Sequence, residues 1–349
     1  MPNDRLLGLV LGAILAVIIG WVLYVGKTVL VPIVFAVLVV YVIIGVNRLL
    51  SHLPWLGEHL PQWLRSTISV FTIMATMAGG IWLVANNIGR VIEMAPVLQV
   101  SLLGMVQDWA ARFGFETAPT WTNIRTDLLQ QINLRSLVGS TVYSVTSAIT
   151  ALTIVSLYVA FLLMERRVFQ DKIQRLSRDN GQVLRIRQVL DTMNSRIGTY
   201  LALKTLLSIL LGLVSWIIML IAGLDLAAFW AVLIAVLNFV PYIGSFLGVL
   251  FPIAFALVQF GDLGTVLMLF AGLVAAQFVI GNVLDPLVMG NSLNLSPFVI
   301  LATLAIWSSL WGVAGAFLSV PMTVVVALAL SEFDQTRPIA VLLSREGKV

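Results

Sequence analysis

"LNFVPYIGSFLG", residues 237–248, sets an asparagine, a proline and two glycines in the middle of a long apolar run. Pro241 has no backbone N–H and its ring collides with the preceding turn, so a helix entering at Leu237 must break there. At membrane depth, the carbonyls released by such a break must find protein, water or a ligand to bond. The stretch decides between a plain bundle of spanning helices and a bundle with a broken or re-entrant element. It predicts the second.

Membrane character follows from composition. Of 349 residues, 60% are hydrophobic and 10% charged, against roughly 25% charged in an ordinary soluble domain. The mean hydropathy is +1.04. The chain therefore reads as an all-α, polytopic membrane protein with about eight transmembrane helices. Apolar stretches able to cross about 30 Å of hydrocarbon fall near 6–24, 29–46, 67–85, 137–164 and 205–222. The first is too long for a signal-peptide core and has no small-residue cleavage site after it, so it reads as a retained span.

The expected organisation is transmembrane helices 1–3 over 1–85, an amphipathic helical segment over 86–135, and a fourth transmembrane helix over 136–164. A basic helical segment then covers 165–204, a C-terminal transmembrane region 205–334, and a tail 335–349. Within 86–135, Val91, Ala95, Leu98, Leu102, Met105, Trp109 and Phe113 recur at steps of three and four, one face of a helix. A second short helix would carry Ile124, Leu128 and Ile132. The segment is expected to be a small extramembrane cap. Residues 165–204 hold nine Lys/Arg against four Asp/Glu, whereas 86–135 hold four of each. The positive-inside rule then puts the basic segment and the N-terminus in the cytoplasm and 86–135 in the periplasm; a cytoplasmic tail goes with an even number of crossings, such as the expected eight. Topology explains the basic run, which lacks interleaved aromatics, so nucleic acid is not an expected partner.

Several chemistries are excluded. No G-x-x-x-x-G-K-[ST] loop is present to cradle nucleotide phosphates. There is no cysteine, and His52 and His59 are the only histidines, too few for a catalytic zinc. No G-x-S-x-G elbow occurs. The serines of 136–156 have no histidine or lysine within the run to activate them and read as helix-packing residues. Neither an enzyme nor a cofactor is expected.

A second punctuated stretch, "IGNVLDPLVMGNSLNLSP" over 280–297, repeats the first one's order: Asn282, Pro286, Gly290 match Asn238, Pro241, Gly244. Paired Gly/Pro-interrupted hydrophobic segments point to a transport site, because half-helix ends offer dipoles and unwound backbone offers hydrogen-bonding groups. The expected substrate path is Asn238, Pro241, Gly244, Asn282, Asp285, Pro286, Gly290 and Asn294, with helix breaks at 238–244 and 282–297. Asp285 is either a functional intramembrane acid or a turn-forming Asp-Pro step outside the membrane. Lys204 reads as a residue snorkelling to the cytoplasmic interface. The apolar stretch 296–333 is too long for one crossing, and "WGVAG" at 311–315 and Pro321 offer places for it to fold back.

On these residues the chain resembles the autoinducer-2 exporter family of bacterial membrane proteins, essentially end to end. The carriers are "YLALKTLLSILLGLVSW", "LNFVPYIGSFLGVLFPIAFAL" and "FVIGNVLDPLVMGNSLNLSPFVILATLAIWSSLWGVAGAFLSVPMTVVV". Asn238 to Gly244 meet the family's N-x-[IV]-P-x-[IV]-G form, and Gly281 to Gly290 its G-N-x-[IL]-[ED]-P-x-[IV]-M-G form. Asp285 stands where many relatives have Glu. The resemblance implies a homo-oligomeric inner-membrane transporter, with a pentamer known for one member, that exports small polar signalling molecules such as autoinducer-2, a quorum-sensing compound. Other members are assigned Na⁺(Li⁺)/H⁺ antiport, which here would need Asp285. A non-transporting envelope scaffold working through 86–135 is the reading from a different class. The implied partners are a small polar solute, membrane lipid and further copies of the chain.

Overall fold

The computed structural model describes residues 2–52, 61–112, 147, 149–165, 168, 172, 180–289, 294–333 and 335–347. Among them the regular structure is helical, and the only strand-like pairing is an isolated antiparallel bridge between Leu295 and Ser344. The helices are α1 (Pro2–Val25), α2 (Lys27–His52), α3 (Gln62–Arg112), α4 (Ile149–Glu165), α5 (Asn180–Ile221), α6 (Ala227–Leu237), α7 (Ile243–Phe260) and α8 (Leu263–Phe278). A π-helical turn (Val279–Leu284) then leads into α9 (Asp285–Met289), followed by α10 (Pro297–Ser331) and α11 (Arg337–Leu343). Six of the described helical stretches are long and apolar enough to cross a membrane, and Val10–Val25, Ile149–Glu165 and Ala227–Leu237 are shorter apolar helices. This is an all-α polytopic membrane architecture.

Helix α3 shows how far the 86–135 segment continues the third span. It runs unbroken for 51 residues, about 76 Å at about 1.5 Å per residue, so the expected boundary at residue 85 falls inside a helix. The amphipathic stripe continues the same rod to Arg112. Phe113 and the second short helix at Ile124, Leu128 and Ile132 lie outside the described residues, as do His59 and most of 166–179.

The chain divides into two compact units. The first comprises 1–70, 153–203 and 289–349. Its core joins α2, the first part of α5 and α10, through Ile197, Tyr200 and Leu201 packed with Leu295, Val320 and Val324. Helix α10 folds back on itself, as the 311–315 sequence predicts. Gly312 has φ 61° and ψ −139°, outside any helix, and a Cβ on Gly315 would collide with the Trp307 carbonyl. Thirty-five residues in one straight helix would measure about 52 Å, yet Ser296 N–H reaches the Leu343 carbonyl at 3.0 Å. The dozen or so residues after Ser331 could not bridge that length. Both ends of α10 therefore lie together, with α11 closing against residues 294–296. The fold tip is anchored by Trp311, whose Nε1–H donates to the Leu23 carbonyl at 2.8 Å.

The second unit, 71–152 and 204–288, contains the first punctuated stretch, and the break at Pro241 is present. Helix α6 has 11 residues, about 16 Å, half of a bilayer core. The chain reverses over 238–242 and α7 returns alongside, Gly248 facing Ile234 and Trp230 packing on Phe255 with ring centroids 5.4 Å apart. Ile243 N–H bonds the Pro241 carbonyl at 2.6 Å around Tyr242, whose φ is 60° and ψ −55°. That is the rare, strained form of γ-turn. At the opposite end, Gln259 ties the hairpin shut: Nε2 donates to the Gly223 carbonyl and Oε1 accepts from Asp225 N–H, both at 2.8 Å.

Candidate functional site

Within the second unit, both punctuated stretches meet α5. Its residues Lys204, Ser208 and Ser215 recur at steps of four and seven, which puts them on one helical face, and all three are buried. Asn238, the C-cap of α6, donates from Nδ2 to Ser208 Oγ at 3.0 Å. One turn away, Lys204 Nζ donates to Asp285 Oδ2 at 3.0 Å. Side-chain exposures of 11% for Lys204 and 22% for Asp285 put this pair among those for which removing one partner costs about 3–5 kcal/mol.

The register that makes these meetings possible comes from small residues. Gly212 lies against Ala231 and Ala235, where an added Cβ would find the Ala235 methyl at 3.0 Å. Gly272 lies against Ile218 at the same separation. With Ile218 beside Gly272 and Lys204 beside Asp285, α5 and α8 run antiparallel. From Lys204 to Ile221 is roughly 25 Å of helix, so the pair sits towards one end of the apolar span.

At Asp285 the structure narrows the expected break over 282–297, for the chain stays helical as far as Met289 and is non-helical at 294–296. The helix does not stop at Pro286. It widens into the π-turn, where Asp285 N–H bonds the Ile280 carbonyl five residues back, and continues as α9 to Met289. Pro286 lacks the N–H that would serve the Asn282 carbonyl in a regular helix, and a wider turn ahead of it absorbs the mismatch. Such π-turns recur at functional sites. Asp285 Oδ1 is buried and has no hydrogen-bond partner, which for a carboxylate oxygen is a costly state that normally has a cause.

Seven of the eight expected path residues fall among the described residues. Asn238, Pro241, Gly244, Asn282, Asp285 and Pro286 all belong to the second unit, with Asn238 buried and Asn282 and Pro286 exposed. Gly244 packs against the Leu237 backbone. Gly290 lies outside the described residues. Asn294 belongs to the first unit and holds the tail: its carbonyl accepts from Arg345 N–H at 2.9 Å and its Oδ1 from Glu346 N–H at 3.3 Å. Lys204 corrects the snorkelling expectation, since its ammonium turns inward to Asp285. Ser208 was not singled out by the sequence reading, although its four-residue spacing from Lys204 was a usable signal. Among the described residues, no cluster of three or more His, Cys, Asp or Glu could hold a metal.

Apolar helices, one of them broken at Pro241, with an ion pair and an amide–hydroxyl pair held between them, make this a polytopic helical membrane protein with paired polar side chains inside the bundle. The sequence model of a family described as AI-2E family transporter matches residues 11–334. The chain belongs to that family. It is 37% identical over 195 residues to a putative transport protein of Borreliella burgdorferi, covering 56% of this chain and 54% of that one. It is 36% identical over 203 residues to the AI-2 transport protein TqsA of Escherichia coli, covering 58% of each. The putative transport protein YhhT of Escherichia coli is 28% identical over 283 residues, 79% of this chain and 78% of that one. The matched region thus spans little more than half the length of the first two relatives.

Proposed function

We propose that the protein moves a small, neutral, polar solute across the bacterial inner membrane without hydrolysing nucleotide, and that autoinducer-2 leaving the cell is the first cargo to test. The observation that carries this reading is the pairing of Lys204 with Asp285 one helical turn from Ser208 with Asn238. Four buried or half-buried polar side chains converge where two helices depart from regular geometry, among buried residues that are mostly apolar. A polyol needs hydrogen-bond partners and no counter-charge, and amide, hydroxyl and a self-neutralised ion pair supply them. Pro241, Gly244, Asn282 and Pro286, all of the same unit, complete the proposed path or its support. Autoinducer-2 is favoured because one relative, TqsA, carries AI-2 transport in its name. Assembly as a homo-oligomer and a cytoplasmic N-terminus belong to the same proposal.

The unpartnered Asp285 Oδ1 favours one second reading, Na⁺(Li⁺)/H⁺ antiport, in which that oxygen would take a cation. The deciding experiment is flux of autoinducer-2 and of Na⁺ in proteoliposomes, each with and without a pH gradient, for the parent protein and Asn238→Leu. Autoinducer-2 flux independent of the gradient and lowered by Asn238→Leu is the expected result. Gradient-driven Na⁺ exchange without solute flux would reverse the ranking.

A further inference from the structure

We propose that Lys204 sets the charge class of what this site accepts: it is a built-in counter-cation, occupying the place beside Asp285 that a mobile cation would otherwise take. The inference rests on the reading of this unit as the solute path and adds the residue that decides selectivity.

The geometry supplies the argument. Lys204 Nζ stands 3.0 Å from Asp285 Oδ2, so the pair carries no net charge. Asp285 Oδ1 is the unused half of the carboxylate, buried and without a hydrogen-bond partner. A hydroxyl donor can bond that oxygen and gain a charge-assisted hydrogen bond. A monovalent cation placed on the same oxygen would lie only about 4 Å from the ammonium. Repulsion between two unit charges at that distance, in a surface-like dielectric, corresponds to a roughly thousandfold loss of affinity. The closed pair therefore accepts donors without charge and rejects cations. Holding a lysine in place of a bound cation also explains why it is buried at all, since lysine is almost never buried unless paired.

The proposal makes the sign of the accepted ion depend on which partner is removed. Lys204→Met keeps the length of the side chain and deletes its charge, leaving Asp285 to seek a cation. Equilibrium binding of ²²Na⁺ to the purified full-length protein in detergent reads this directly and does not depend on transport. Lys204→Met is expected to bind ²²Na⁺ at least about tenfold more tightly than the parent, Lys204→Arg to match the parent, and Lys204→Met combined with Asp285→Asn to lose the gain. A folded Lys204→Met protein with no gain overturns the proposal, as does ²²Na⁺ binding by the parent that disappears in Asp285→Asn.

Should Lys204→Met not yield folded protein, Asp285→Asn decides. It leaves the ammonium unpaired, so ³⁶Cl⁻ binding should rise and should fall again when Lys204→Met is added; no rise overturns the proposal. Absence of neutral-solute flux in the parent would sink the path reading alone, because the ion-binding results stand without it.

Discussion

Gly244 and Gly248 form a G-x-x-x-G on α7, and the structure assigns them opposite responses to the same substitution. A methyl group on Gly244 would lie 2.6 Å from the Leu237 carbonyl carbon and 3.3 Å from Asn238 N, and closer still to the Leu237 oxygen. Carbon pairs pack at about 3.5–4.0 Å, so the hairpin must open by roughly 1 Å, and the obstacle is backbone that cannot rotate aside. Overpacking of this kind costs about 1–3 kcal/mol, against at most about 1 kcal/mol gained from replacing glycine by alanine in a helix. Gly244→Ala is therefore expected to destabilise by about 1–2 kcal/mol. At Gly248 the same methyl would meet the Ile234 side chain at 3.6 Å and its Cα at 3.8 Å, an ordinary packing distance. Gly248→Ala should stabilise by about 0.5–1 kcal/mol. Equilibrium unfolding of both variants in mixed micelles with increasing denaturing detergent measures the difference, expected to be about 2 kcal/mol. Opening the hairpin also moves Asn238 off Ser208, so Gly244→Ala should lower solute flux while Gly248→Ala leaves it near the parent. Equal stability of the two variants, or a more stable Gly244→Ala, would refute the reasoning.

Tyr242 holds a φ of 60° and is 54% exposed; strain at such a residue is about 1–3 kcal/mol, so Tyr242→Gly should raise the thermal midpoint in detergent despite glycine's larger unfolded-state entropy, and a lowered midpoint would count against the γ-turn. Asp262 caps α8, accepting from Thr265 N–H at 2.9 Å and Oγ1 at 2.8 Å, bonds that hold its carboxyl below the usual range. Because the folded pKa is depressed, its contribution is complete above the unfolded value of about 3.9 and fades as pH falls through the folded one. The stability gap between the parent and Asp262→Ala should thus stay constant from about pH 8 to 5 and shrink below about pH 4, as unfolding titrations at each pH would register. Cysteines introduced at Gln107 and Arg178 should react with an impermeant reagent from opposite sides of the membrane; reaction from one side would overturn the expected orientation.

What the sequence by itself determined is whatever a short window encodes. Hydropathy marks the spans, Pro241 marks the reversal after α6 because a missing N–H acts on its own turn, and "WGVAG" marks the fold in α10 because the combination of φ 61° and ψ −139° found at Gly312 is essentially confined to glycine. Tertiary structure alone decided the rest. Lys204 and Asp285 are 81 residues apart, and their pairing depends on the antiparallel register of α5 and α8, set by contacts such as Gly272 on Ile218 that leave no local pattern. Read locally, a lysine near the start of an apolar run is an interfacial anchor, and Asp285 beside a proline is a turn. Likewise Asn294 reads as another member of the polar cluster, whereas the fold of α10 returns the tail to it and turns it into a clasp. Periodicity reports which face of a helix is apolar; which side chain waits on the facing helix is fixed only when the helices pack.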